Sequence, residues 1–308
     1  MNSDVARLAD RIVAARFAQE PLEAALLGLD HAGAGLADLT EANEHHLAAT
    51  FELIADDALE LHGRALSGEV ELDEFDRLTL DLVRMSAATA AEVVKVPLVG
   101  FTVTDIFFAP LSGLISVLPM LPLDTPARRD EQLGRLGAIP LLLDQLTGRH
   151  REALAAGRAP VQRGVRAALA QIAAVTSDRG ASGLRRPGAD LDAGFVAEQD
   201  RLIDDVVVPA IRRYGAFLEA EVLERGRPDE QSGLSWLPGG DEMYRHLVRA
   251  FTSTERSAQD LHDTGLAIIE RLKGEFADLG TRLWGTGDVT AIHDRLRHDP
   301  ALRYESSE

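Results

Sequence analysis

No cysteine occurs among the 308 residues, which excludes a disulfide framework, thiolate metal sites and a catalytic thiol. Lysine is almost missing too: Lys95 and Lys273 are the two present, and the other basic residues are arginine. A phosphate-binding loop needs a lysine behind a glycine-rich turn, and neither lysine stands in that setting. Positive charge is outweighed throughout, with a formal net charge of −18. Nucleic acid and anionic membranes both require a basic face, so neither is expected as a partner. Aromatic residues make up only 5%, whereas Ala and Leu dominate, a bias toward helix.

Other absences narrow the function. There is no His-Glu-x-x-His zinc motif and no Gly-x-Ser-x-Gly nucleophile elbow. "GAG" at Gly33 to Gly35 and "GTG" at Gly285 to Gly287 are too short for a dinucleotide fingerprint. The N-terminal "MNSDVARLADRIVAARF" has no apolar core of the kind a secretory signal needs, which predicts a cytoplasmic protein. One stretch, Val96 to Pro122, is apolar enough to mimic a membrane span, but Asp105 sits inside it and Pro97, Pro110, Pro119 and Pro122 interrupt it. A lipid-facing helix of about 20 residues is hard to build from such a sequence, so a buried, broken segment is expected.

What is present reads as helix. Ser3 can cap a first helix with Leu8, Ile12 and Phe17 on its apolar face. Thr40 opens a long helix to about Leu61, with Leu47, Phe51, Ile54, Ala58 and Leu61 on one side. Another spans about Glu71 to Val94. "TPARRDEQLGRLGAIPLLLDQLTGRHREALAAG" predicts a helix bent at Pro140, and Pro160 fits the first turn of the next one. Gly and Pro crowd the loop at 178–190, after which a helical subregion runs over 191–308, with a kink expected at Pro209 and a cap at Ser257. No strand alternation and no repeat period appears. The fold class is all-α, as a single domain or half-domain over 1–308.

The stretch "LPGGDEMYRHLVRAFTST", Leu237 to Thr254, carries the most chemistry. Gly239 and Gly240 allow positive φ and close backbone approach, and Tyr244 projects from the first turn of the helix that follows. Free N–H groups at that helix start could receive a substrate carboxylate or carbonyl. The plainer reading is a turn that ends one segment and starts another. Glu242 and His246, four apart, could share a metal but more often make an ion pair. His45 and His46 are adjacent and cannot chelate together. Asp56-Asp57 and Asp204-Asp205 read as solvated pairs.

The order of motifs resembles the domain-of-unknown-function family numbered 885. Its Gly-x-x-x-Tyr, Thr-rich turn and Ile-His-x-x-Gly-Leu helix match at Gly240, Tyr244, Thr252, Thr254, His262, Gly265 and Leu266, with Leu261 in place of the isoleucine. "RLGAIPLLL", the Gly157 to Pro160 junction and "PLEAALLGLD" match further elements in the right order. The resemblance implies an irregular multi-helix array like the N-terminal half of a thimet-oligopeptidase-like zincin. It also implies a zinc metallopeptidase whose His-Glu-x-x-His helix lies in a C-terminal half that this sequence does not contain. No catalytic or metal-ligating residue is therefore assigned here, and zinc is expected only in the completed enzyme. The substrate-binding candidates are Gly239, Gly240, Tyr244 and, through the resemblance, His262.

Three origins remain open: one subunit of a split enzyme, a fragment, or a stand-alone descendant without the chemistry. The enzymatic reading is one wall of a substrate cleft in a zinc-dependent peptidase or amide hydrolase. It expects a partner carrying the zinc helix, a peptide or amide substrate and a large apolar docking face. The alternative is a non-catalytic helical interaction module with a closed core.

Overall fold

The computed structural model describes residues 1–29, 35–177, 182–186 and 191–303. Among these residues every regular element is a helix, and the β-type pairing is an isolated parallel bridge between Val161 and Arg227. The chain is thus an all-α, multi-helix array. It divides into two compact units, Met1–Ala250 and Phe251–Glu308. The expected subregion 191–308 contributes helices to both.

The first unit begins with a three-helix layer. Helix α1 (Ser3–Gln19) is capped by Asn2 rather than Ser3: the Asn2 Oδ1 accepts the Asp4 N–H at 2.9 Å. The Asn2 backbone N–H in turn donates to buried Asp76 at 2.8 Å, which ties α1 to α4. A short α2 (Pro21–Leu26) follows. Helix α3 (Glu41–Leu66) starts at its Thr40 cap, and Leu47, Phe51, Ile54, Ala58 and Leu61 are all buried, as the period requires. Helix α4 (Glu74–Val94) starts at Asp73, whose carboxylate accepts from the Asp76 N–H at 2.7 Å. These faces and Val5 and Leu8 of α1 share one core.

The apolar segment after α4 is broken, as expected. It holds α5 (Leu98–Phe101), α6 (Pro110–Val117) and a 3-10 turn (Leu118–Met120). Val96, Phe101, Val103, Leu111, Leu114, Leu118 and Leu121 are buried, but Ile106, Phe107 and Phe108 point outward. No helix among the described residues is long and apolar enough to cross a membrane.

The larger core lies between α6, α7 (Pro126–Ala155), α8 (Gln162–Val175) and a long helix over 193–222. Helix α7 continues helically through Pro140. Pro160 does not fill the first turn of α8, which begins two residues later; its carbonyl instead accepts the Arg227 N–H at 2.8 Å, the contact that forms the bridge. Most of the loop expected at 178–190 lies outside the described residues, apart from a 3-10 turn at Ser182–Leu184.

The long helix is composite. It comprises α9 (Ala193–Leu202), a π turn (Ile203–Val207), α10 (Val208–Phe217) and a second π turn (Leu218–Val222). At the first π turn the Val208 N–H reaches back five residues to the Ile203 carbonyl. Pro209, which has no N–H to give, follows immediately, so a widened turn stands where a proline disruption was expected. At the second, the Leu223 N–H reaches the Leu218 carbonyl at 2.9 Å.

The second unit pairs α12 (Ala258–Trp284) with α13 (Val289–His298). Ser257 caps α12 as expected, and Asp260 completes a reciprocal capping box. Gly285, at φ +71°, ends the helix in the left-handed region. The helices approach so closely at Gly280 that a β-carbon there would sit 2.1 Å from the Ile292 Cδ1. Leu266, Ile269, Leu272, Phe276, Leu279 and Leu283 are exposed on α12. Their steps of three and four residues trace one seam along the helix. The residues from 304 onward, including the Ser306 to Glu308 end, are not among those described.

Candidate functional site

The junction at Leu237 is built by the backbone. A 3-10 turn at Leu234–Trp236 sends the Leu237 N–H to the Leu234 carbonyl at 2.8 Å, and the Gly240 N–H then donates to the Leu237 carbonyl at 2.9 Å. Gly239 takes φ +73°, a conformation that costs an L-residue and suits glycine. Gly240 is required for a different reason: a β-carbon there would lie 1.6 Å from the Leu234 carbonyl oxygen. Helix α11 (Gly240–Thr252) starts at this contact. Leu237 and Met243 anchor it in a small core with Val96 and Phe101. Arg227 holds the approach: its guanidinium donates to the carbonyls of Ala159 at 2.8 Å, Gln231 at 2.5 Å and Gly233 at 2.8 Å.

Both glycines therefore have a structural reason to be there. Tyr244, the fifth residue of α11, opens its second turn and is 47% exposed. His262 belongs to the second unit, exposed on α12. Thr252 and Thr254 bracket Ser253, a residue at φ +56°, with their hydroxyl oxygens 2.9 Å apart.

The pair Glu242 and His246 forms a weak contact at 3.8 Å, and the other ring nitrogen of His246 meets Glu92 on α4. Glu92 also faces Lys95, which bridges to Glu52 at 2.6 Å. The residues make an ion-pair chain across α3, α4 and α11. Among the described residues no group of three metal-capable side chains occurs. Asp57 pairs with Arg11 at 2.5 Å and Asp204 with Arg185 at 2.6 Å.

Beside the junction lies a cavity of about 370 Å³ lined by α3, the end of α4, α5 and the end of α7. Pro238 brings the two together, because its ring packs 3.4 Å from where a β-carbon on Gly157 would stand. Arg149, 7% exposed, spans Glu44 and Glu152 at the cavity wall. Burial raises the Glu44 carboxyl above its ordinary range, and Arg149 draws it partly back. The Nε groups of Arg149 and Arg158 are buried with no acceptor among the described residues.

Directly behind this wall is His150, fully buried. Its Nδ1 is 2.8 Å from the Gly100 carbonyl and its Nε2 is 2.9 Å from the Tyr214 hydroxyl. A carbonyl only accepts, so Nδ1 carries the proton and Nε2 accepts from the tyrosine. Desolvation pushes the imidazole down to about 4, with the Gly100 contact opposing, and pushes the Tyr214 hydroxyl up. The His–Tyr pair has the look of an acid–base dyad, but it is sealed from solvent and holds α5, α7 and α10 together.

Neither the cavity nor this pair was read from the sequence. A signal existed: "GRHREAL" places Arg149 and His150 in phase with Leu142, Leu143, Leu146 and Ala153, on the side of α7 that the core claims.

The chain matches the bacterial protein family of unknown function DUF885 over residues 21–308. It belongs to DUF885. Four chains of solved structures match it significantly. One is the crystal structure of "the putative lipoprotein from Colwellia psychrerythraea", at 19% identity and a TM-score of 0.79. That match covers 99% of this DUF885 chain and 56% of the solved one, so the present chain spans about half the length of the structure it resembles. At this identity the likeness speaks for the fold. No curated protein matches significantly.

Proposed function

We propose that this DUF885 chain forms one wall of the substrate cleft of a zinc-dependent peptidase or amide hydrolase. A segment or partner carrying a His-Glu-x-x-His helix completes the site. The observation that carries the reading is the exposed seam on α12, from Leu266 to Leu283. Leucine, isoleucine and phenylalanine at three- and four-residue steps suit a facing helix better than water. The outward Ile106, Phe107 and Phe108 add a second apolar face on the first unit. The ordered family motifs and the greater length of the solved relative support the same reading.

In such an enzyme the junction serves as a binding surface. The Gly239–Gly240 turn keeps the backbone low, and Tyr244 extends its hydroxyl to the substrate carbonyl or to the oxyanion formed from it. His262 is the further contact implied by the family pattern. Zinc would supply Lewis-acid activation of water in the completed protein, and the residues of this chain would orient the scissile group.

The test is native mass spectrometry with metal analysis on protein purified from its own host. A complex with a second polypeptide, or a longer chain, and about one zinc per complex supports the proposal. A bare, metal-free 308-residue monomer refutes it and leaves a non-catalytic interaction module. In the assembled enzyme, Tyr244→Phe should lower kcat/KM by roughly tenfold or more; an unchanged value removes Tyr244 from the site. The cytoplasmic location read from the N-terminus is checked by fractionation, since the solved relative is described as a lipoprotein.

A further inference from the structure

The cavity beside the junction has one lining cation that its own acidic residues do not pair. Three cationic side chains line it: Lys95, Arg149 and Arg158. Lys95 is held by Glu52 and Glu92, and Arg149 by Glu44 and Glu152. Arg158 is different. Its backbone N–H closes the end of α7 onto Ala153 at 2.8 Å, but its guanidinium makes no ion pair or hydrogen bond to any described protein group. Its Nε is buried, as is the unpaired Nε of Arg149 on the same cavity. A buried N–H donor is rarely left without an acceptor, because desolvating it is costly unless something accepts; the rest of the half-buried Arg158 side chain opens on the cavity.

We propose that this cavity is a binding subsite for a single carboxylate, with Arg158 as its anchor. Pairing selects the ligand. The lining sets Lys95, Arg149 and Arg158 against Glu41, Glu44 and Glu152, and with Lys95 and Arg149 each held by two carboxylates, Arg158 is the lining cation that a single carboxylate would meet. The planar guanidinium fork matches a carboxylate with two parallel N–H···O bonds. A phosphate dianion would bring a second negative charge against Glu41, Glu44 and Glu152 without a partner for it. The volume, about 370 Å³, is at the small end for ligand pockets and suits an acylated amino acid rather than a long peptide. Gly157, the residue before Arg158, meets the Pro238 ring, which puts this subsite next to the Leu237 junction. The inference does not depend on zinc or on hydrolysis, because binding by the 308-residue chain alone is its readout.

The experiment is calorimetric titration of the chain with N-acetylglycine, its neutral methylamide and inorganic phosphate, using wild type, Arg158→Gln and Arg158→Lys. Wild type should bind N-acetylglycine about tenfold or more tightly than either control. Arg158→Gln should lose about tenfold or more of that affinity, and Arg158→Lys should recover part of it as a point charge. Because the Arg158 guanidinium has no partner among the described residues, the Gln variant should melt with wild type, which separates lost binding from lost folding. No N-acetylglycine binding to wild type would mean that water alone serves these donors, and the proposal would fall. Equal affinity for the acid and its methylamide, preference for phosphate, or undiminished binding by a folded Arg158→Gln would each overturn it.

Discussion

The buried His150 makes stability fall on the acid side, and the size of the loss follows from its surroundings. In the unfolded chain the imidazole titrates near its ordinary value of 6.5, whereas in the fold burial holds it down to about 4. The unfolded state therefore binds the proton first. His150's contribution is fully present above 6.5 and is lost as pH falls toward 4. Moving a titration midpoint by one pH unit corresponds to about 1.4 kcal/mol, so the full loss is about 3 kcal/mol, a large share of an ordinary domain's stability. The variant that tests this is His150→Leu, which removes the titration but leaves the Gly100 carbonyl and the Tyr214 hydroxyl without their partner. That variant should be less stable than wild type at pH 8 yet flatter below 6.5, so the gap closes by about 3 kcal/mol between pH 8 and 4. Tyr214→Phe should cost about 1–3 kcal/mol, because Nε2 then lacks its donor, and should make the acid loss smaller, since losing a hydrogen bond to the neutral imidazole lets the folded form take up its proton at higher pH. Urea unfolding is followed by Trp236 fluorescence in a Trp284→Phe background, so the signal comes from the first unit. If wild type and His150→Leu lose stability in parallel from pH 6.5 to 4, the neutral, buried imidazole is the wrong account.

Two further outcomes bear on the junction and the seam. Gly239→Ala should cost about 1 kcal/mol for its positive φ alone, since the space around it is open. Gly240→Ala should cost about 2–4 kcal/mol, because the methyl meets the Leu234 carbonyl; thermal unfolding that ranks the two the other way would refute the turn geometry. Ile269→Asp with Leu272→Asp should leave the melting of the isolated chain within about 2 °C of wild type while abolishing copurification of the zinc-bearing partner. A partner that still copurifies would place its docking face elsewhere.

Much of the fold was legible because long amphipathic helices announce themselves. The α3 face and the Ser257 cap follow directly from side-chain period and capping chemistry. The misses have physical causes. At the N-terminus, Asn2 and Ser3 are both competent caps, and the Asp76 carboxylate on a distant helix decides between them. Pro160 belongs to a bridge whose other strand lies at Arg227, a pairing no local pattern reveals. The site was less legible still. Gly240 reads as a ligand-facing glycine until the Leu234 carbonyl is seen pressing against it. The cavity draws on residues 41 to 158 across four elements, and its key property is a guanidinium without a partner among the described residues. Partnership is a property of three-dimensional neighbours and has no one-dimensional trace.

The two π turns give the long 193–222 helix a further property, one of tolerance to length. From Gln199 one row of buried positions runs through Ile203, Val207, Ile211, Tyr214, Leu218 and Val222, in intervals of four, four, four, three, four and four. A uniform α-helix at about 3.6 residues per turn would need threes more often to keep one face inward. The widened turns absorb the surplus, each carrying one residue more than the pitch demands. Removing a residue from an ordinary turn would rotate everything beyond it by about 100° and carry Tyr214 away from His150. Removing one from a π turn converts that turn to regular helix and relocates the change to a single solvent-facing position. The helix thus works like a vernier with two slack marks, the places where this chain can lose a residue while the core stays in phase.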